Sequence, residues 1–212
     1  MINGLDIVDL PVAEYRDVLK VQHELTAKRI AGEISDVAII VEHCPVITTG
    51  VRDDKNKLLV SAEKLVSQGV DLVDIARGGG ATAHNPGQIV FYVIMNLKDK
   101  GLGITEFIRT LEDIGIELLG KFGVSADRKK GFPGLWTDDK KIASIGVKVK
   151  KWTTFHGMAI NINNDLSIFD NIIPCGLDGV VMTSLSECTS KKIDMQKVRE
   201  ELKSILKRRF GK

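Results

Sequence analysis

The groups in this chain best suited to covalent chemistry are its three thiols, Cys44, Cys175 and Cys188. Cys175 stands in Pro174-Cys175-Gly176, where proline fixes the approach of the backbone and glycine leaves the far side open, so a thiol is presented at a loop tip. A presented thiol is a nucleophile once it is a thiolate; a buried structural cysteine is the alternative. Cys44 has a base beside it in His43, but neighbours in an extended segment point to opposite faces. Cys188 follows Glu187, an acidic neighbour unsuited to an anionic sulfur. From the residues alone Cys175 ranks first, and a chain in which none of the three is catalytic stays open. A free thiol titrates near about 8.5, so a nucleophilic cysteine at neutral pH needs a cation beside it.

The second chemical feature is Arg77-Gly78-Gly79-Gly80-Ala81-Thr82-Ala83-His84. It satisfies the G-x-G-x-x-A spacing of a dinucleotide loop, but that fingerprint requires a helix to open at once, to meet the pyrophosphate. Here Asn85-Pro86-Gly87 follows, then an apolar strand from Gln88, which excludes the Rossmann reading. No Gly-Lys-Ser/Thr closes the loop, so it is not a P-loop. What remains is a turn whose glycines let backbone N–H groups approach a ligand, or a glycine-rich turn with none. The four histidines (His23, His43, His84, His156) show no H-E-x-x-H and no paired Cys/His spacing, so no metal site is expected. His84 and His156 read as pocket residues or as core histidines satisfied by backbone.

Several segments, in order, resemble the lipoyl(octanoyl) transferase family. The glycine loop continued through Asn85-Pro86-Gly87-Gln88 is similar to the family's substrate loop, with Asn85 where the family usually has glycine. Glu42-His43-Cys44-Pro45-Val46-Ile47-Thr48-Thr49-Gly50 precedes it. Gly134-Leu135-Trp136, Lys141-Ile142-Ala143-Ser144-Ile145-Gly146 and Phe155-His156-Gly157-Met158-Ala159-Ile160-Asn161 follow. Ile173-Pro174-Cys175-Gly176 and Met182-Thr183-Ser184-Leu185 complete the series.

The resemblance implies an α/β (α+β) fold, the mixed sheet flanked by helices of the biotin and lipoate protein ligase catalytic domains, as one domain over residues 1–212. It implies transfer of an octanoyl or lipoyl group from octanoyl-acyl carrier protein to a lysine of lipoyl domains, those of 2-oxoacid dehydrogenase E2 subunits and the glycine cleavage H protein. No cofactor, metal, nucleic acid or membrane is implied. Cys175 matches the cysteine that carries the acyl group. Lys141 matches its partner, which would depress the Cys175 pKa and help to deprotonate the incoming amine. Without the resemblance, Lys141 in Asp138-Asp139-Lys140-Lys141 reads as a solvated surface lysine. Backbone donors of Arg77, Gly78, Gly79, Gly80, Ala81, Thr82, Ala83 and His84, of Ser144, Ile145 and Gly146, and of Gly157, Met158 and Ala159 would line the acyl site. Two rivals are an ATP-dependent lipoate or biotin ligase and a non-catalytic acyl-binding relay. The chain lacks the Gly-Arg-Gly-Arg element of biotin ligases.

These groups must be placed by the elements around them. A helix is expected over residues 12–31, with Tyr15, Val18, Leu19 and Leu25 near one face. Strands are expected over 37–41 and 46–49, around a turn at His43-Cys44-Pro45. A short helix over 62–68 stops at Gly69, and a strand over 70–75 leads into the glycine loop. Residues 89–95, apolar on both faces, read as a central strand. Thr105 is the candidate N-cap of a helix to residue 122, with Phe107, Leu111, Ile114 and Leu118 at helical spacing. Over 142–149, Ile145, Val147 and Val149 share one face, and Ser144, Gly146 and Lys148 the other. Over 156–163, Met158, Ile160 and Ile162 share a face. Asp194 caps a last helix buried through Val198, Leu202, Ile205 and Leu206, with Lys207, Arg208 and Arg209 suited to its C-terminal dipole.

A 212-residue chain with 43% hydrophobic and 27% charged residues is long enough to bury a core without disulfides. Its net charge of +2 carries no signature of nucleic acid. Basic residues are dense at Arg128-Lys129-Lys130, Lys140-Lys141, Lys148 and Lys150-Lys151, as a docking rim for an acidic carrier or as ordinary surface. Residues 1–10 carry Asp6 and Asp9 and lack the features of a signal peptide. The longest apolar run, 89–95, is too short to span a bilayer. A soluble, cytoplasmic protein with reduced thiols is expected.

Overall fold

The computed structural model describes residues 4–176 and 179–211, with the backbone alone at Asp53 and Cys175. The elements in chain order are β1 (Leu5–Ala13), α1 (Tyr15–Ala31), β2 (Asp36–His43), β3 (Val46–Thr49), α2 (Ala62–Ser67), β4 (Asp71–Asp74), β5 (Thr82–His84) and β6 (Gln88–Ile94). Then come α3 (Ile104–Lys121), β7 (Asp127–Lys129), β8 (Phe132–Thr137), β9 (Lys140–Lys150), β10 (Thr153–Asn161), α4 (Leu185–Thr189) and α5 (Met195–Phe210). Short 3-10 turns lie at Asp53–Lys55, Leu166–Asn171 and Pro174–Gly176.

Seven strands form one sheet in the order β1-β2-β6-β10-β9-β8-β7, and three form a small sheet, β4-β3-β5. The large sheet is mixed, since β1 and β2 run parallel and its other neighbours antiparallel. The chain leaves it for the small sheet at His43-Cys44-Pro45, the turn expected from sequence. Every residue of β6 is buried, as a central strand requires. Ile89, Phe91 and Val93 face Phe107, Leu111 and Ile114 of α3 and Leu202 and Ile205 of α5. Val90, Tyr92 and Ile94 face Val18 of α1, with Val37, Ile39 and Val41 of β2 on the same side. The large sheet is thus covered on both faces. The small sheet packs Ile47, Ala81 and Ala83 on Leu65 of α2 and on Ile168 and Phe169. Among the described residues no helix is long and apolar enough to cross a membrane.

Three expectations need correction. Val12 and Ala13 belong to β1, so the first helix starts only at Tyr15. β1 is an edge strand carrying Asp6 and Asp9, and such a half-exposed strand leaves no clean alternation in the sequence. Gly103, not Thr105, is the N-cap of α3. Thr82–His84, read as loop, is a strand hydrogen-bonded to β3. The unanticipated β7 and β8 lie at the other edge, where Pro133 and Gly134 read as turn signals. Asp194 caps α5 as expected, its carboxylate accepting from the Gln196 N–H at 2.9 Å.

Candidate active site

The glycine loop is wrapped around Arg77, which is almost wholly buried. Its guanidinium donates to the carbonyls of Gly78 (3.2 Å) and Gly80 (2.8 Å), and to the carbonyl and Oγ1 of Thr48, both at 2.8 Å. The loop rests on β9, where the Gly78 N–H donates to the Val147 carbonyl at 3.1 Å. A Cβ at Gly146 would come within 2.8 Å of Arg77 Cδ and 3.0 Å of the Gly78 carbonyl oxygen. Glycine is what lets loop and strand approach this closely.

Between the loop, α1 and strands β6, β9 and β10 lies a narrow cavity that opens to solvent. Of the residues expected to bind substrate, Arg77, Thr82, His84, Ser144, Ile145, Gly146, Gly157, Met158 and Ala159 wall it. Gly78 and Gly79 line a second groove with Arg52, Lys55 and Pro133, and Ile145 and Gly146 belong to both spaces. Gly80 backs onto Lys55, whose carbonyl accepts the Ala81 N–H at 3.2 Å. Ala81 and Ala83 send their methyl groups into the core of the small sheet, not into the cavity. Sequence reasoning missed Tyr15, Val90 and Tyr92 as wall residues. The available signal was two tyrosines in otherwise buried segments, whose hydroxyls need partners.

The inner wall is polar yet uncharged. His43 Nε2 and the Tyr92 hydroxyl lie 2.7 Å apart, and His84 Nδ1 lies 2.7 Å from Gln88 Oε1. Tyr15 stacks on His84 at a centroid distance of 5.8 Å. Burial pushes His43 down to about 4. Burial, aided by the nearby His43 and Arg77, pushes His84 down to about 3. Burial, with Arg77 nearby, takes His156 to about 3. Burial also raises both tyrosines above their ordinary value. At neutral pH all five side chains are uncharged.

Lys141 is fully buried, which overturns the surface reading, whereas Lys140 is exposed. The Lys141 ammonium donates to the Pro133 carbonyl at 2.8 Å and lies 5.4 Å from the Trp136 ring centroid. Its N–H donates to the Val181 carbonyl at 2.8 Å and its carbonyl accepts from Thr183 at 3.0 Å, so the chain just past Cys175 is laid along β9 at Lys141. The Cys175 side chain lies outside the described residues. Its backbone sits in the Pro174–Gly176 turn, next to Gly176 at φ 65°. That turn is braced by residues 55–59: the Ile173 N–H donates to the Lys57 carbonyl at 2.9 Å, and the Leu59 N–H to the Asn171 carbonyl at 2.8 Å. A Cβ at Gly176 would meet Lys55 Cβ at 2.7 Å. Of the other thiols, Cys44 is part-buried and held up in pKa by burial and Glu14, and Cys188 is exposed beside Thr183.

Two further expectations find their place. Asn85 donates to the Asp165 carbonyl at 2.8 Å and accepts from Asn164 at 3.1 Å, stitching its turn to the chain beyond β10. The basic residues are divided. Lys148 lies 5.7 Å from the Phe155 ring, Lys150 ends β9 and Lys151 lies in the β9–β10 turn, at the end of β9 remote from Lys141. Cations near Lys141 are instead Arg52 and Lys55, in the groove that contains Pro133, and Lys129 and Lys130 in the neighbouring groove. Among the described residues no group of His, Cys, Asp or Glu could hold a metal ion.

Residues 14–207 match the family model of the lipoyl protein ligase A/B catalytic domain. The chain is 37% identical over 208 residues to an octanoyltransferase of Maridesulfovibrio salexigens, covering 98% of this chain and 95% of that one. It is 39% identical over 209 residues to an octanoyltransferase of Caldicellulosiruptor saccharolyticus, covering 98% and 89%. In fold it is similar to the bipartite lipoate protein ligase of Thermoplasma acidophilum, with TM-score 0.72 at 15% identity over 99% of this chain and 84% of that one. It is also similar to the biotin protein ligase of Aquifex aeolicus, with TM-score 0.54 at 16% identity over 99% and 69%.

Proposed function

The chain belongs to the octanoyltransferases of the lipoyl protein ligase A/B catalytic domain family, and from that premise we propose that it carries the octanoyl group on Cys175 between donor and acceptor. It is an acyltransferase of protein lipoylation. The observation that carries the reading of the site is Lys141, a fully buried ammonium on the strand segment to which the chain beyond Cys175 is bonded. A buried ammonium costs stability unless it is hydrogen-bonded or paired, and Lys141 meets that cost in part through the Pro133 carbonyl.

The donor is octanoyl-acyl carrier protein. The Cys175 thiolate, favoured by the Lys141 charge, attacks the thioester carbonyl, and the carrier leaves as its thiol with a proton from the Lys141 ammonium. The product is an octanoyl thioester on Cys175. The neutral ε-amine of a lipoyl-domain lysine then attacks the same carbonyl, gives its proton to the now neutral Lys141 amine, and departs as the amide, restoring both the Cys175 thiolate and the Lys141 ammonium. Acceptors are the lipoyl domains of 2-oxoacid dehydrogenase E2 subunits and the glycine cleavage H protein. The acyl chain lies in the cavity between the glycine loop and β9–β10, walled by Arg77, Thr82 and His84 of the loop and by residues 144–146 and 157–159. Ping-pong transfer needs neither ATP nor metal, since the donor is already a thioester. Reduced thiols suit a cytoplasmic setting.

Intact-mass spectrometry tests this directly. Mixing with octanoyl-carrier, in buffer depleted of nucleotide with apyrase, should add one octanoyl mass to the wild type and none to Cys175→Ala. An adduct mapped to Cys44 or Cys188, or turnover only with free octanoate and ATP, would overturn it.

A further inference from the structure

Three grooves border the segments that hold Lys141, and two of them run into each other. The groove walled by Gly78, Gly79 and Val147 shares Ile145 and Gly146 with the acyl cavity. It also shares Ile108, Gly131 and Pro133 with a second groove, between α3 and the β7–β8 hairpin. That second groove has no lining residue in common with the cavity, so the order is cavity, first groove, second groove. Pro133 stands where the two grooves join, and its carbonyl accepts the buried Lys141 ammonium at 2.8 Å. A continuous trough therefore leads from the acyl cavity, past the Lys141 ammonium, to the surface between helix and hairpin.

The trough is apolar and incompletely covered. Ile104 in the first groove is 46% exposed and Phe132 in the second 36%, and Ile108 and Pro133 link them. The cations of the second groove are not equivalent. Arg128 pairs with Glu112 and Asp113, Arg109 with Glu112, and Lys129 with Asp139. The Lys130 side chain is exposed and pairs with none of the described residues. An apolar strip with an unspent cation beyond it suits a ligand with a long neutral body and an anion at one end. The third groove has the opposite sign. It runs by Pro174, Val181 and Met182 and is lined by Asp165, Asp170 and Glu187, with no cation among its lining residues. An anion would be repelled there.

We propose that the trough seats the phosphopantetheine arm of the acyl donor, with its phosphodiester on Lys130. This rests on the acyl-carrier reading above, in which the leaving sulfur takes its proton at Lys141. The arm must extend from that sulfur, and the cavity on one side is filled by the acyl chain. It runs the other way, over Pro133. Its methylene and methyl groups lie on Ile104, Ile108 and Phe132, while its amides keep water on the open side. The trough gives the donor binding energy remote from the reacting carbonyl, which raises kcat/KM as the arm is built up.

The experiment compares octanoyl thioesters of N-acetylcysteamine, pantetheine and 4′-phosphopantetheine, with rates read from the product amide. In the wild type kcat/KM should rise at each step, the phosphate contributing about tenfold. In Lys130→Gln the phosphate step should shrink to about twofold, and Lys130→Arg should restore it. Ile104→Asn, on the exposed face of α3, should shrink the step from N-acetylcysteamine to pantetheine. Free 4′-phosphopantetheine should compete with the phosphopantetheine donor at least tenfold better than 5′-AMP, a phosphomonoester without the arm. Three donors of equal kcat/KM in the wild type overturn the proposal without any variant having to fold. A phosphate step untouched by Lys130→Gln, or lost in Arg52→Gln instead, overturns it too, as does equal competition by 5′-AMP. An octanoyl adduct on Cys175 with a flat donor series would remove only this inference. A stepped series with no adduct on Cys175 would keep the trough and remove the acyl-enzyme.

Discussion

The Arg77 guanidinium donates to the Gly80 carbonyl, three residues further along its own chain, at 2.8 Å. The glycine loop is therefore held by a side chain from its own first residue, while the same guanidinium reaches Thr48 in β3. Lysine offers a point charge without the planar fork and cannot serve these acceptors together. Arg77→Lys should lose about 3 kcal/mol of stability in urea denaturation. It should lose more than tenfold in kcat/KM, since the loop that shapes the cavity slackens.

Lys141→Met keeps much of the buried volume and removes the charge. If that charge activates Cys175, kcat should drop by about two orders of magnitude. The pH profile of iodoacetamide labelling at Cys175 should move upward by a unit or more, toward the ordinary thiol value of about 8.5. A kcat loss with an unmoved labelling profile would restrict Lys141 to shaping the site.

Gly146→Ala tests the close approach of loop and strand. The added methyl meets Arg77 Cδ at 2.8 Å and the Gly78 carbonyl oxygen at 3.0 Å, so the loop must lift. Acyl-enzyme formation, followed by intact mass, should slow at least tenfold. The thermal midpoint should fall by only a few degrees, consistent with about 1–2 kcal/mol in a chain of this size.

Acid should destabilise the protein before its carboxylates titrate. His43, His84 and His156 are depressed by burial from 6.5 to about 4, 3 and 3. Between pH 6.5 and about 4 the unfolded chain binds protons that the native one refuses, so stability falls as pH falls. The slope is up to about 1.4 kcal/mol per pH unit for each histidine. Above pH 7 these groups contribute no slope. His156→Asn removes one of the three, and urea midpoints at pH 7, 6 and 5 should show the slope reduced by about a third.

Salt should weaken the carrier-dependent reaction. From about 20 to 300 mM NaCl, kcat/KM for octanoyl-carrier should fall severalfold, and for an octanoyl-pantetheine mimic hardly at all. Arg52→Glu with Lys130→Glu should flatten the carrier's dependence, because those cations border the grooves near Pro133. Lys150→Glu with Lys151→Glu, at the far end of β9, should leave it intact.

The sequence was most readable where burial is complete. β6, apolar on both faces, and α5, with its Asp194 cap and stripe of four, carry their structure in their composition. The edges were not readable: β1 carries Asp6 and Asp9, and β8 contains Pro133 and Gly134, because an edge strand answers to solvent on one side. At the site, nine expected residues meet in one cavity because glycine spacing and β-alternation are local signals. Lys141 reads as surface in Asp138-Asp139-Lys140-Lys141, and its burial comes with partners that its neighbours in sequence do not announce, the backbone of residues 181–183, the Pro133 carbonyl and the Trp136 ring. His156 bonds through its N–H to Gln22, more than a hundred residues away.

Lys55 lies between the glycine loop and the cysteine-bearing turn, against Gly80 on one side and Gly176 on the other, with no room for a methyl on either. It works as a shim between the two. If the glycine loop yields to admit a donor chain, the turn that holds Cys175 is released or strained by the same displacement. In the proposed ping-pong cycle, then, the fit of the first partner and the lifetime of the acyl-enzyme awaiting the second would both depend on one peptide. Selection on either would alter the other. On that proposal the two half-reactions would be tuned as a single compromise.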